Sequence, residues 1–161
     1  MSQSEQVSGN EKRKIRSTTR LYAIQALFQM EQLGLSTDEV VEEFVVHRFG
    51  EEYEEGQLSD GDEALFKSIV ESAVNYQAYI DQLTDRALVK KWPIARIDPT
   101  LRSLFRAAAA EITQIKTPPK IVITEYVALA HAFFTDGKEP NFVNAVSVSY
   151  THLTLPTNLC V

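Results

Sequence analysis

Apolar residues recur at helical spacing along most of the chain, and short polar or glycine- and proline-bearing breaks separate the runs. In "LYAIQALFQMEQL", Leu21, Ile24 and Phe28 mark one stripe and Leu27 widens it, which predicts a helix ending near Gly34. Ser36 with Glu39 three residues on is a capping-box pattern. It opens a second helix with Val40, Val41, Phe44 and Val45 on its apolar side, stopping near Gly50. "GEEYEEGQLSDGD" (50–62) reads as a loop. Asp60 or Asp62 can then cap a third, long helix containing Leu65, Ile69, Ala73, Tyr76 and Ile80.

"VKKWP" breaks the pattern, because Pro93 disfavours helix at Trp92, and the boundary between two halves is placed there. Asp98-Pro99 is an N-cap followed by proline at the first helical position. Leu101, Leu104, Phe105, Ala108, Ile112 and Ile115 follow it at helical spacing. Thr117-Pro118 repeats the device ahead of Val122, Ile123, Tyr126, Val127, Ala130 and Phe134. "IVIT" (121–124) is β-branched, yet the helical period runs through it. Asp136-Gly137 makes a turn, and "EPNFVNAV" begins a last helix with Pro140 in its first turn. The pattern predicts an all-α domain of six to seven helices, arranged as two small bundles side by side.

The two ends differ from this domain. Residues 1–10 are polar, lack periodicity and are expected to be disordered. Residues 11–146 form the helical domain. "VSYTHLTLPTNLCV" (148–161) departs from the helical pattern, and Pro156 would end any helix that reached it. Residues 148–157 resemble the translation, in one frame, of the end sequence of a transposon-based DNA-library adapter. Residues 147–161 are therefore expected to be an artefactual tail, with the final helix cut short near Val146. Cys160 and His152 are left out of any site on the same ground.

Cys160 is the only cysteine, so no intramolecular disulfide can form, which fits a cytoplasmic protein. No apolar run reaches the ~20 residues of a membrane span, and the first twenty residues hold no signal-peptide core. The formal charge of −6 hides a division. Residues 38–63 carry eleven acidic side chains and one arginine, whereas residues 1–20 carry five basic and two acidic ones. A local basic arm can attract a polyanion although the whole chain is acidic.

Catalytic patterns are missing. The glycines form neither G-x-G-x-x-G nor a P-loop, and H-E-x-x-H and C-x-x-C do not occur. His47 and His131 have no neighbouring ligand pattern, and "EEYEEG" lacks the alternate ligands and glycine bend of a calcium loop. No enzyme, cofactor or metal is expected. Asp98, Arg102 and Arg106 fall at i, i+4, i+8, either as a salt-bridged edge or as a surface for a protein partner. Lys90, Lys91 and Trp92 suit a stacked base, or a tryptophan plugging the join between the halves.

The arm "EKRKIRSTTR" is the feature that points to a ligand. If helical, it sets Arg13, Arg16 and Arg20 along one side, with Lys12 beside Arg16. Such a row can lay guanidinium forks along a phosphate backbone.

The arm, "AIQALFQME", "IDPTLRSLFRAAAAEI", "PPKIVITEYVALAHAFF" and "EPNFVNAV", in this order and spacing, make residues 13–146 resemble the NusB family of bacterial transcription antitermination factors. The resemblance implies two packed three-helix bundles and a cytoplasmic factor without a chemical step. It implies binding to the single-stranded boxA segment of nascent ribosomal RNA transcripts, together with NusE, a small-subunit ribosomal protein, within an RNA polymerase antitermination complex. It carries Lys12, Arg13, Lys14, Arg16 and Arg20 over to the RNA-contacting helix and adds Lys138 as a further RNA contact; Phe28, Arg102 and Arg106 are expected to face the protein partner. Ser17, Thr18 and Thr19 interrupt a stretch that is often more basic in the family, Phe28 stands where tyrosine is frequent, and Ala110 replaces a frequent tyrosine. The family's Leu-Asp after "FVNAV" is replaced by Ser147-Val148. An alternative is the NusB-like module of a ribosomal RNA cytosine methyltransferase, although no methyl-donor domain follows here. A bundle that binds only proteins is a third reading.

Overall fold

The computed structural model describes residues 9–49, 52–53, 56–57, 62–88, 95, 97–134, 137 and 139–154. Seven α-helices are present among them: α1 (Gly9–Leu33), α2 (Thr37–His47), α3 (Glu63–Asn75), α4 (Gln77–Ala87), α5 (Pro99–Ala110), α6 (Pro119–Phe133) and α7 (Glu139–Thr154). Glu52–Tyr53 and Gly56–Gln57 form a minimal antiparallel ladder between α2 and α3. α1 packs on α2, α3 and α5, and α4, α6 and α7 gather on the other side of α5. The two-bundle all-α arrangement follows, with α5 as the shared wall.

Local chemistry explains the boundaries. Gly34 adopts φ +68° and returns its N–H to the Met30 carbonyl at 2.9 Å, closing α1 with a left-handed residue that glycine tolerates best. Ser36 and Asp62 cap α2 and α3 by accepting the N–H of Glu39 (3.2 Å) and Leu65 (3.0 Å). Asp98 accepts from Thr100 at 2.8 Å and Leu101 at 3.4 Å, and Pro99 takes the first helical position.

The structure alters several expectations. The long third helix is two helices, because it breaks at Tyr76, where φ −113° and ψ 21° leave the helical region. The break lets α3 bury Phe66, Ile69, Val70 and Ala73 while α4 buries Ile80, Leu83 and Thr84. The core-facing side of α1 is Tyr22, Ala23, Ile24, Ala26 and Leu27, so Leu21 and Phe28 are only half-buried. Thr117 does not cap α6. Pro118 is its N-cap, and the Thr117 hydroxyl turns to Glu111 instead, at 3.0 Å. α1 starts at Gly9, inside the stretch expected to be disordered.

α7 does not stop at Val146. Val143, Val146, Ser147 and Tyr150 continue one buried stripe, and the Tyr150 hydroxyl lies 2.7 Å from that of Thr84. Packing of that stripe outweighs the poor helix propensity of its serine and β-branched residues. Trp92, Lys90, Lys91, Asp60, Asp136, Lys138, Pro156 and Cys160 lie outside the described residues.

Candidate nucleic-acid interface

The basic arm is helical throughout, as the first three turns of α1. Its N-terminal end is solvent-facing, with Lys12, Arg13, Lys14 and Arg16 all exposed. Two of the hydroxyls that interrupt the basic run dock it. Ser17 donates to Glu125 on α6 at 2.8 Å. Thr19, fully buried, accepts the N–H of Asp62 at the start of α3 and donates to the Ile15 carbonyl, both at 2.7 Å. The arm is thus a fixed edge of the fold.

Beside the arm lies a cleft of ≈ 470 Å³ lined by Lys12, Arg13, Arg16 and the inward-turned Arg20 from α1 and by Lys120, Thr124 and Glu125 from α6, among others. Lys120 is exposed in the first turn of α6, where the helix dipole adds positive potential. Four exposed cations and one mostly buried carboxylate surround the space, so an anionic chain is its natural occupant. The sequence reading did not single out Lys120 for this role. Its signal was its place just after Pro119, in the first turn of a helix.

Arg20 corrects the expectation for the arm. It is 3% exposed and points inward, donating from Nε to Glu111 Oε2 at 2.7 Å and from Nη2 to Oε1 at 3.0 Å. Glu111 has no exposed surface, and it also accepts from the hydroxyls of Tyr126 (2.6 Å) and Thr117 (3.0 Å). Burial works against the Arg20 charge, but the bonds and field of Glu111 outweigh it and push the pKa up. The Tyr126 phenol is raised well above its usual value by burial first, then by the Glu111 charge and hydrogen bond. A guanidinium spent on a buried carboxylate cannot neutralise a phosphate without stranding that carboxylate. Arg20 is a structural tie from α1 to α6, through the π-helical turn Glu111–Ile115 that carries Glu111.

Arg102 and Arg106 are likewise engaged within the chain. Arg106 holds Asp81 through Nε (3.0 Å) and Nη2 (2.9 Å) and Glu31 through Nη1 (2.7 Å). Arg102 bonds Glu31 and the carbonyls of Ala95 and Ile97. The Arg102 bond leads the interactions that hold the Glu31 carboxyl below its usual range. The two arginines tie α5 to α1 and α4, and their side chains are only 12% and 13% exposed. They line a separate cleft of ≈ 550 Å³ and do not form a free cationic surface.

Phe28 lines a third cleft, of ≈ 360 Å³, with Ile24, Gln25, Gln29, Arg48, Thr100 and Phe133. The Oε1 atoms of Gln25 and Gln29 are buried there with no hydrogen-bond partner among the described residues. Lys14, Leu21, Gln25 and Phe28 share one side of α1, at about 100° per residue. The arm and this cleft therefore follow one another along a single helix. Gln25 and Gln29 flank Phe28 at i and i+4, a spacing visible in the sequence but not weighed there.

No group of three or more His, Cys, Asp or Glu residues could hold a metal among the described residues, and none of their helices is long and apolar enough to cross a membrane.

Comparison with known proteins fits this geometry. Residues 17–146 match the family model described as "NusB family". The chain is 42% identical to the "Transcription antitermination protein NusB" of Granulibacter bethesdensis, over 85% of this chain and 87% of that protein. The same protein of Rhodopseudomonas palustris is also 42% identical, over 86% and 82%. Among solved structures, T. maritima NusB superposes with a TM-score of 0.70 at 23% identity, over 89% of this chain and 94% of that one. NusB from a crystal structure of "Antitermination Factors NusB and NusE in complex with dsRNA" gives 0.70 at 22%, over 90% and 99%. With its fold, its arginine-bearing first helix and these matches in hand, the chain belongs to the NusB family.

Proposed function

We propose that this chain is a transcription antitermination factor that binds single-stranded, boxA-type RNA of nascent ribosomal transcripts together with NusE, as part of an RNA polymerase antitermination complex. The observation that carries the reading is the fixed set of exposed cations on the arm: Lys12, Arg13 and Arg16 line a cleft together with Lys120, and Lys14 is exposed as well. The names of the curated relatives support the antitermination reading, and the structure of NusB and NusE with double-stranded RNA supports RNA and NusE as partners. The curated relatives matched over 82–87% of their length carry the antitermination name, which supports that reading over a methyltransferase module.

Phosphate neutralisation supplies affinity without sequence preference. Sequence is read in single-stranded RNA by stacking and by hydrogen bonds to base edges. The cleft lined by Phe28 and Phe133 offers aromatic faces on which a base can stack. From Lys12 to Gln29 the helix runs about 25 Å, room for several nucleotides. Lys138 stays a proposed contact, carried by the resemblance alone.

The test is titration with boxA-like and scrambled RNA, with and without NusE. The reading expects a preference for the boxA-like strand that NusE strengthens. Equal binding of both RNAs in both settings contradicts it and favours a bundle that binds only proteins.

A further inference from the structure

Arg13 is held differently from the cations around it. Lys12, Lys14 and Arg16 are exposed and bond no other side chain among the described residues. Arg13 donates from Nε to Glu125 Oε1 at 3.1 Å, and Ser17 donates to the other oxygen of the same carboxylate at 2.8 Å. The Glu125 side chain is 10% exposed and that of Arg13 66%. The carboxylate sits at the base of the contact, and the guanidinium projects from it into solvent. Because Nε makes the bond, the terminal amino groups are left for a second acceptor.

We infer that Glu125 is a positioning residue that aims the Arg13 guanidinium at an RNA phosphate. The inference rests on the RNA-binding reading and deepens it. A flexible arginine loses rotamer freedom when it meets a phosphate, and one already clamped through Nε has lost part of it beforehand. Two opposing effects have to be weighed. A carboxylate near a phosphate path repels it, but this one is mostly buried and is countered by Arg13 and by the neighbouring Arg20. Ser17 occupies its second oxygen and fixes its orientation. Positioning is therefore expected to outweigh repulsion. Under this account Arg13 is the oriented fork of the arm, whereas Lys12, Lys14 and Arg16 supply charge that any cation in their place would supply.

The experiment is a double-mutant cycle read by capture of a short boxA-like single-stranded RNA, with melting temperature followed in parallel. Glu125→Ala should weaken capture about three- to tenfold, the effect of freeing one long side chain. In an Arg13→Ala background the same change should do nothing further. Arg13→Lys keeps the charge but loses the planar fork, and should resemble Arg13→Ala. Glu125→Ala should leave the salt slope unchanged, whereas Lys12→Ala should lower it by about 0.7. Glu125→Leu, which keeps similar side-chain volume but accepts no hydrogen bond, repeats the test should the alanine variant fail to fold.

Tighter capture by Glu125→Ala, equal loss in both backgrounds, or wild-type capture by Arg13→Lys overturns the inference. If Lys12/Arg13/Arg16→Ala loses RNA while both Glu125 variants bind normally, only the inference fails. If the triple variant also binds normally, the RNA reading fails with it.

Discussion

Two arginines seven residues apart on α1 do opposite work. Arg13 stands at the tip of the arm, two-thirds exposed, with one bond at its base and the rest of its fork in water. Arg20 stands at the root, its side chain 4% exposed and both ends of its fork on a carboxylate that two hydroxyls also bond. The residue type is the same, and so is the side of the helix within a fraction of a turn. What differs is whether an internal counter-charge meets the guanidinium before a ligand can. The tip can exchange water and counterions for phosphate at little cost to the fold. The root cannot let go, because an unpaired charge in the core costs several kcal/mol. A basic run therefore overstates a binding surface wherever the fold has used some of its cations.

The most severe way to test this contrast is to cut the root. Arg20→Ala leaves Glu111 buried with two hydroxyls and no cation, and should cost about 3–5 kcal/mol in urea unfolding. That is a large part of the ~5–15 kcal/mol of a typical domain, so the urea midpoint should fall sharply. If it unfolds with the wild-type midpoint, the root is not structural.

A milder cut is Tyr126→Phe, which removes one donor from Glu111 and leaves Arg20 and Thr117 in place. A hydrogen bond to a charged group is worth about 1.5–3 kcal/mol, and the lower end is expected because the other partners remain. Unfolding in urea measures it, and RNA capture by the folded variant should be unchanged.

The smallest effect sharpens the comparison from a second site. Arg102 and Arg106 are partly exposed, yet they pair internally with Glu31 and Asp81. The Glu31 carboxyl is held below its usual 4.5, so its stabilising contribution is present above that pH and is lost as the pH falls through the lowered value. Glu31→Gln removes this term. Its melting temperature should fall less steeply than that of wild type as the pH drops below about 4.5, with little difference in RNA capture. A matching acid limb in both proteins would show that the bridge contributes nothing.

Much of the fold was legible because helical periodicity and end signals are local. Asp98-Pro99, Ser36 and Gly34 each act through backbone within three or four residues, and each does what its type implies. The break at Tyr76 was not legible. No glycine or proline marks it, and it follows from the need of α3 and α4 to bury different sides. The end of α7 was misread for a related reason, since Tyr150 continues a stripe whose value depends on what packs there. The site was legible only in outline. The basic run was plain, but Arg13 and Arg20 find partners 112 and 91 residues away. One clue to Arg20 was available. It falls with Ala23, Ile24 and Leu27 on the inward side of α1, and Glu111 likewise continues the stripe of Leu104 and Ala108. Two opposite charges, each on an apolar stripe, suggest a buried pair.

The central claim is that the exposed tip of the arm holds RNA phosphates while its root holds the fold. The most direct measurement is the salt dependence of RNA capture by wild type and by Lys12/Arg13/Arg16→Ala, with both melting temperatures recorded. Removing three single-strand phosphate contacts should reduce the slope of log K against log salt by about 2 and leave the melting temperature nearly unchanged. An unaltered slope, or a slope that falls only because the protein has unfolded, would contradict the account.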